Sequence, residues 1–341
     1  MEVHTSHGIS HIHIQRDVRM HIGDYLNVQR KVLIISDDGV PYEYVQTIAM
    51  QCPQASVHIV AHGEASKSLE QVKEIVCRLV ELDFKKTDMI FAVGGGVIGD
   101  LSGYVAASYR LGIPYASLPT TTLSQIDSSI GGKTAVNLHG VKNILGAFYH
   151  PQHVFIDLNT LQTLSKRQYY SGLVEALKAG MIRDPKLFSL FENNDADFNG
   201  KLPPADLEEI IERSLIVKRD IVEADERENG QRKLLNFGHT LGHAVESCYA
   251  LKGLTHGESV GIGMMMILKQ ESLRKRLKKI LVKMNLPYDA DCDTEQLLAY
   301  VERDKKAADS MISIVQVDSI GEGYVKELPI CELRNYMEEK V

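Results

Sequence analysis

The feature that most limits what this chain can fold into is an apolar run, residues 89–93, that passes directly into Gly94-Gly95-Gly96-Val97-Ile98-Gly99-Asp100 and then into a helical pattern over residues 101–109. Gly94, Gly96 and Gly99 satisfy GxGxxG where a strand ends and a helix opens. In that context backbone N–H groups approach a pyrophosphate closely at the positive end of a helix. The same alternation precedes it. Residues 31–36 are β-rich and lead into helix-like residues 41–51, residues 56–60 form a second strand, and residues 67–83 place Leu69, Val72, Ile75, Val76, Leu79 and Val80 at helical spacing, as expected of core positions. Strands alternating with helices predict a parallel sheet covered on both faces, with ligand bound beyond the carboxyl ends of the strands. The motif departs from the common dinucleotide fingerprint in closing the third βα unit and in lacking an acidic residue about twenty positions on, so Asp37 and Glu64 become the ribose candidates.

Residues 119–143 are rich in hydroxyls, glycines and lysines, including Thr120, Thr121, Asp127, Lys133, Lys142 and Asn143, with little apolar periodicity. They are expected to form a long functional loop whose lysines neutralise a phosphate. After a last strand over residues 153–157 the pattern turns helical, with helices predicted over 168–181, 206–223, 234–249, 258–280 and 294–305. Glu175 and Lys178 share one face of the first of these. Lys218 and Arg232 flank an acidic run, Asp220 to Glu228, most of which is expected to be a solvated loop.

Residues 235–258 concentrate His239, His243 and His256 with Glu246. His239 and His243 are four apart and lie on one helix face, and His256 follows a Gly-bearing turn at Lys252 and Gly253. Imidazoles from two elements plus one carboxylate from elsewhere leave a zinc-type ion an open position, although spacing does not say which histidines are ligands. The N-terminal His4, His7, His11 and His13 read instead as side chains of a half-exposed strand, because Ile12 and Ile14 alternate with polar neighbours.

A net charge of −7, mild and without obvious clustering, argues against a nucleic-acid partner. Five scattered cysteines without a CxxC pair point to a reducing compartment. No basic-then-apolar leader opens the chain and no apolar stretch nears the ~18 residues of a membrane span, so a cytoplasmic location without membrane contact is expected.

The blocks GGGVIGDLSGYVAASY, PTTTLSQIDSSIGGKTAVN, VKNILGAFYHP, GLVEALKAGMI and LLNFGHTLGHAVE together resemble the 3-dehydroquinate synthases, over nearly the whole length. The resemblance implies an α/β Rossmann-like NAD-binding domain over residues 1–160, a mostly α-helical metal- and substrate-binding domain over residues 161–341, a catalytic Zn²⁺ or Co²⁺, and a homodimer. It implies that Glu175, His239 and His256 hold the metal. NAD would lie against Asp37, His62, Gly63, Glu64, Ala65, Ser66, Lys67, Gly96, Val97, Ile98, Gly99, Asp100, Thr120, Thr121, Lys133, Lys142, Thr160, Leu161, Gln162 and Thr163. His243, Lys133, Asp127, Asn236 and Lys178 match catalytic positions, and Asn143, Lys218, Arg232 and Lys305 or Lys306 match substrate-binding ones. The family's phosphate-binding Arg falls at Leu111, so Arg110, one residue earlier, is expected to take that role. The implied substrate is a phosphorylated sugar acid, 3-deoxy-D-arabino-heptulosonate 7-phosphate. It is oxidised at C5 with NAD⁺, loses phosphate, is reduced again, and closes by an intramolecular aldol step to 3-dehydroquinate. Sister cyclases acting on sugars without a carboxylate, metal-dependent polyol dehydrogenases and a non-catalytic cofactor-binding protein are the competing readings.

Overall fold

The computed structural model describes residues 1–6, 8–193, 200–249, 253–304 and 311–338. They divide into two units, Met1–Leu164 and Ser165–Val341. In the first, β1 (Glu2–Thr5), β2 (Gly8–Ile14), β3 (Lys31–Asp37), α1 (Tyr42–Gln51), β4 (Gln54–Val60), α2 (Leu69–Glu81), β5 (Met89–Gly94), α3 (Gly96–Ser108), β6 (Tyr115–Pro119), β7 (Lys133–Leu138), β8 (Val141–Phe148) and β9 (His153–Ile156) follow in order. Seven strands form one sheet in the order β1-β2-β9-β6-β5-β3-β4, parallel except for the β1–β2 pair. Strand periodicity explains its two cores. Leu33, Ile35, Ile90 and Ala92 pack with Ile75, Leu79, Ile98 and Leu101 on one face, whereas Val32, Ile34, Phe91 and Val93 pack with Tyr44, Val45 and Ile48 on the other. Every residue of β5 is buried, as a central parallel strand requires.

Several expectations need correction. Leu69 and Val80 are 38% and 63% exposed, because they stand at the edge of the α2 stripe whose centre is Val72, Ile75 and Leu79. Residues 119–143 are not one long loop: β6 ends at Pro119, a single π-helical turn spans Ser124–Ser128, and Lys133 starts an antiparallel hairpin, β7–β8. Polar residues on that hairpin hide its period-two pattern, since only Thr134 and Val136 of β7 are buried.

The second unit carries α4 (Lys166–Ile182), α5 (Pro185–Asn193), α6 (Pro204–Ala224), α7 (His239–Cys248), α8 (His256–Ile267), α9 (Glu271–Lys283), α10 (Thr294–Asp304), the antiparallel pair β10 (Met311–Val317) and β11 (Gly323–Pro329), and α11 (Leu333–Glu338). The helix predicted from 234 begins at His239 instead, because Gly238 adopts a left-handed φ of 77° that starts α7 afresh after a 3-10 turn, Gln231–Asn236. The helix predicted over 258–280 is two. Leu268 turns to extended backbone without Gly or Pro, and Gln316 Nε2 donates to the freed Ile267 carbonyl at 3.1 Å. α9 then runs unbroken and gathers Arg274, Lys275, Arg276, Lys278, Lys279 and Lys283, so the positive charge is locally clustered after all. Lys252, like Lys305 and Lys306, lies outside the described residues. Among the described residues no helix is long and apolar enough to cross a membrane.

Of the N-terminal histidines, His4 stands on β1 and His11 and His13 on β2, while His7 lies outside the described residues. His13 Nε2 lies 3.0 Å from His153 Nδ1, and the His13 ring also stacks on Phe155. Burial pushes both His13 and His153 down to about 4, helped at His13 by His153, the N-terminus and His11, and at His153 by His11 and Arg30. The unfolded chain takes up protons near the usual 6.5 while the folded pair does not, so this stability is full above pH 6.5 and is lost as pH falls towards 4. Urea titrations are expected to show an excess loss of stability across that window in the wild type. A His13→Asn, His153→Asn protein should lack it, and parallel pH profiles for the two would refute the assignment.

Candidate functional site

The second unit builds its site on α4, α7 and α8. Glu175 lies on the interior face of α4 and is 2% exposed. His239 opens α7, and its Nδ1 faces the Phe237 carbonyl at 3.2 Å, which orients the ring and leaves Nε2 free. His256 opens α8, where Thr255 and Glu258 form a complete capping box. Glu175 Oε1 is 3.6 Å from His239 Nε2 and 3.4 Å from His256 Nε2. Glu175 Oε2 meets the buried Lys178 ammonium.

These distances test the fit of an ion. Both Glu175 oxygens are fully buried, Oε2 on the Lys178 ammonium and Oε1 facing the two imidazoles, and the three residues' donor atoms lie within 4.8 Å of one another, a carboxylate and two imidazoles about one point. The donor set suits a divalent ion of the zinc type. Electrostatics agree. Burial alone raises the Glu175 carboxyl, but Lys178 and the two imidazoles hold it well below the carboxylate range. Burial and Lys178 press His239 down to about 3, whereas Glu175 and Glu246 overcome burial at His256 and raise it to about 9. Positive charge is thus favoured beside Glu175 and His256 and disfavoured at His239. His243, one turn along α7, has its ring centroid 5.4 Å from that of His239 and 5.9 Å from that of His256.

Other predicted residues of this unit lie on its polar segments. Lys218 on α6 and Arg232 are 7% and 3% exposed, and of the acidic run between them Asp220 and Glu223 stand on α6 rather than in a loop. Arg232 donates to the Glu226 carbonyl, and Asn236 Nδ2 donates to Glu228 Oε1 at 2.6 Å.

In the first unit a pocket lies at the carboxyl ends of β5 and β6, lined among others by Gly94, Gly99, Asp100 and Lys133. The hydroxyls of Ser117, Ser128 and Ser129 also line it and are buried without partners. A Cβ on Gly99 would meet no atom within 4 Å, so the first turn of α3 is open to a ligand. Unpartnered hydroxyl donors beside helix N–H groups fit an anionic group such as a pyrophosphate. Gly96, Val97 and Ile98 complete that turn, and Thr120 N donates to the Gly94 carbonyl at 3.0 Å. Thr121 closes a hydroxyl turn with Ser124 at 2.8 Å.

Lys67, 6% exposed, donates to Asp100 Oδ2 and Asn143 Oδ1, each at 2.5 Å. Residues 62–67 form a one-turn loop in which His62 binds Asp38 at 2.8 Å, Gly63 has φ 102° and Ser66 donates to the Ala61 carbonyl; Ala65 is exposed. Asp37, whose carboxyl is pushed up by burial, accepts from Gly39 N at 2.9 Å. Asp127 lies on the π turn, and Lys142 precedes Asn143 on the exposed strand β8.

Thr160 and Leu161 are interior. Thr160 Oγ1 donates to the Asp157 carbonyl at 2.8 Å, while Gln162 Nε2 reaches Asn159 at 3.5 Å and Thr163 Oγ1 meets the Tyr44 hydroxyl at 3.1 Å. Arg110 is not brought to the pocket. It sits at the far end of α3 with φ 52°, its Nε donating to the Phe84 carbonyl at 2.9 Å, and Leu111 beside it is 92% exposed. Sequence reasoning missed Asn137. Its side chain accepts from Asn143 N and donates to Glu64, each at 2.8 Å, tying the hairpin to the 62–67 loop, and only recognition of the hairpin could have revealed it.

A family model described as 3-dehydroquinate synthase N-terminal matches residues 57–171, and one described as 3-dehydroquinate synthase C-terminal matches residues 172–307. The 3-dehydroquinate synthase of Streptococcus thermophilus is 39% identical over 323 residues, covering 91% of this chain and 90% of its own. That of Clostridium beijerinckii is 36% identical over 314 residues, covering 87% and 88%. Among solved structures, a 2-deoxy-scyllo-inosose synthase complexed with carbaglucose-6-phosphate, NAD⁺ and Co²⁺ superposes with TM-score 0.87 at 25% identity over 100% of both chains. A 2-epi-5-epi-valiolone synthase from Streptomyces hygroscopicus with NAD⁺ and Zn²⁺ bound gives TM-score 0.87 at 26% identity, covering 96% and 95%.

Proposed function

Because the chain belongs to the 3-dehydroquinate synthase family, we propose that it converts 3-deoxy-D-arabino-heptulosonate 7-phosphate to 3-dehydroquinate and phosphate, as a cytoplasmic homodimer using NAD and Zn²⁺ or Co²⁺. The observation that carries this reading is the buried Glu175 carboxylate facing His239 and His256 at 3.6 and 3.4 Å. These three residues hold the ion, and the open first turn of α3 with its partnerless serines receives the NAD pyrophosphate. When bound, NAD supplies a reversible hydride acceptor and the divalent ion supplies Lewis acidity towards substrate oxygens.

The chain itself contributes positive charge and position. Burial, and after it Lys178 packed against Glu175, keeps His239 neutral, so its nitrogen remains a lone-pair donor. Lys218 and Arg232 supply buried cations for the substrate's anionic groups, and Lys133, at the start of β7, adds an exposed one. His243, Asn236, Asp127 and Asn143 supply hydrogen-bonding groups for hydroxyls, with His243 passing a hydroxyl proton. Orientation and electrostatics do most of the work, and strong acids or bases are not required.

Phosphate release from the heptulosonate phosphate tests the reading. It should require both NAD⁺ and metal, stop on chelation, and resume on adding Zn²⁺ or Co²⁺. NADH should not accumulate, because the oxidation is reversed within each turnover. Stoichiometric NADH release would show a dehydrogenase instead.

A further inference from the structure

The elements bearing two of the proposed ligands, α4 with Glu175 and α8 with His256, are locked together by residues outside the ligand set. Arg167, Ser171 and Glu175 follow at intervals of four and form one stripe along α4. Each of the first two grips the start of α8. Arg167 forks onto the Glu258 carboxylate, Nε to Oε1 at 2.7 Å and Nη2 to Oε2 at 2.6 Å, and also donates to the Gly253 carbonyl. Glu258 is 4% exposed, and its Oε2 accepts from Thr255 N at 2.7 Å. Ser171 Oγ meets Thr255 Oγ1 at 2.6 Å. Between these grips the helices all but touch, since a Cβ on Gly257 would fall 1.9 Å from the Ser171 carbonyl oxygen. His256 is the residue enclosed, between Thr255 and Gly257.

We propose that Arg167 is a positioning residue for the metal centre: through Glu258 it fixes the first turn of α8, and so the distance of His256 from Glu175. The proposal rests on the reading of Glu175, His239 and His256 as ligands. An ion bound at about 2 Å from each donor tolerates displacements of only about 0.2 Å, so whatever sets that separation sets affinity. Arg suits the task because its planar fork fixes direction as well as distance, which an ammonium does not.

The test is the Zn²⁺ dissociation constant of the full-length protein, measured by competition with a chromophoric chelator. Arg167→Ala should raise it about 10- to 100-fold, in the range typical of partners that orient ligands. Arg167→Lys should give a smaller rise. Arg276→Ala is the control, because Arg276 forks onto Glu192 with the same geometry, at 2.7 and 2.7 Å, away from the start of α8. It should leave Zn²⁺ affinity unchanged.

Wild-type affinity in both Arg167 variants would overturn the proposal, as would an equal loss in Arg276→Ala, which would mark a general loosening of the unit. If Arg167→Ala does not fold, Arg167→Lys decides, since raised dissociation supports the positioning role and wild-type affinity overturns it. Zn²⁺ binding by the wild type that is indifferent to His239→Ala would instead overturn the ligand reading, and the proposal with it.

Discussion

A His256→Ala protein is expected to fold, to lose its stoichiometric divalent ion, and to lose about a thousandfold or more in kcat/KM, since metal activation is worth several kcal/mol at the transition state. The fold should survive because the α8 cap is made by Thr255 and Glu258 and does not use the His256 ring. Truncating Glu175 is a poorer experiment. Lys178, whose side chain is 3% exposed, would be left buried without its counter-charge, a loss of about 3–5 kcal/mol that mixes stability with metal binding. Metal per chain measured by mass spectrometry, with NAD affinity by calorimetry, separates the effects. Zinc should vanish while NAD binding in the first unit persists, and a variant that retained both zinc and activity would refute the ligand assignment.

The second large effect concerns which sugar is used. The solved cyclases that superpose well at 25% and 26% identity bear names of other products, so the fold alone does not choose among them. Arg232 makes the choice testable. It is 3% exposed, with its backbone N–H on Asp225 at 3.0 Å and its guanidinium donating to the Glu226 carbonyl, so the side chain is held rather than solvated. A buried guanidinium binds a carboxylate through a two-pronged, charge-assisted pair, and a substrate lacking that group forfeits about 2–5 kcal/mol. Wild-type protein should therefore favour the heptulosonate phosphate over sedoheptulose 7-phosphate by roughly thirtyfold to several thousandfold. Arg232→Ala should erase most of that preference through the acid substrate. Comparable kcat/KM for the two sugars in the wild type would overturn the assignment.

Much of this was legible because it depends on local pattern. The β5 run and the glycines after it fix a strand, a turn and a helix start through short-range rules, and the α2 stripe is correct at its centre. What was hidden depends on partners distant in sequence. The β7–β8 hairpin looks polar because few of its side chains are buried, so nothing in its composition announces a strand. The α8–α9 break is stabilised by Gln316, far along the chain, which no periodicity within residues 258–280 can reveal. Histidine spacing alone did not separate His243 from His256. In the fold His239 and His256 each bring Nε2 to Glu175 Oε1, at 3.6 and 3.4 Å, a juxtaposition that spacing cannot show. The one-residue shift from Leu111 to Arg110 matters for a reason sequence cannot show: both residues take left-handed backbone, at φ 52° and 60°, and send the guanidinium to Phe84.

The contact between α7 and α8 carries a consequence of another kind. A Cβ on Gly263 would fall 2.0 Å from the Gly238 carbonyl oxygen, and one on Gly242 would fall 2.9 Å from that of Ser259, so the two backbones rest directly on each other. The separation of His239 and His256 is therefore gauged by peptide groups, which hardly compress, and does not depend on how well neighbouring side chains fill space. The aliphatic residues around the histidines can be exchanged for others of similar volume with little change in that gauge, whereas one added methyl at either glycine would force it open. For redesign of the pocket this separates two kinds of position: a lining that can be recut freely, and a pair of hydrogens that cannot be spared.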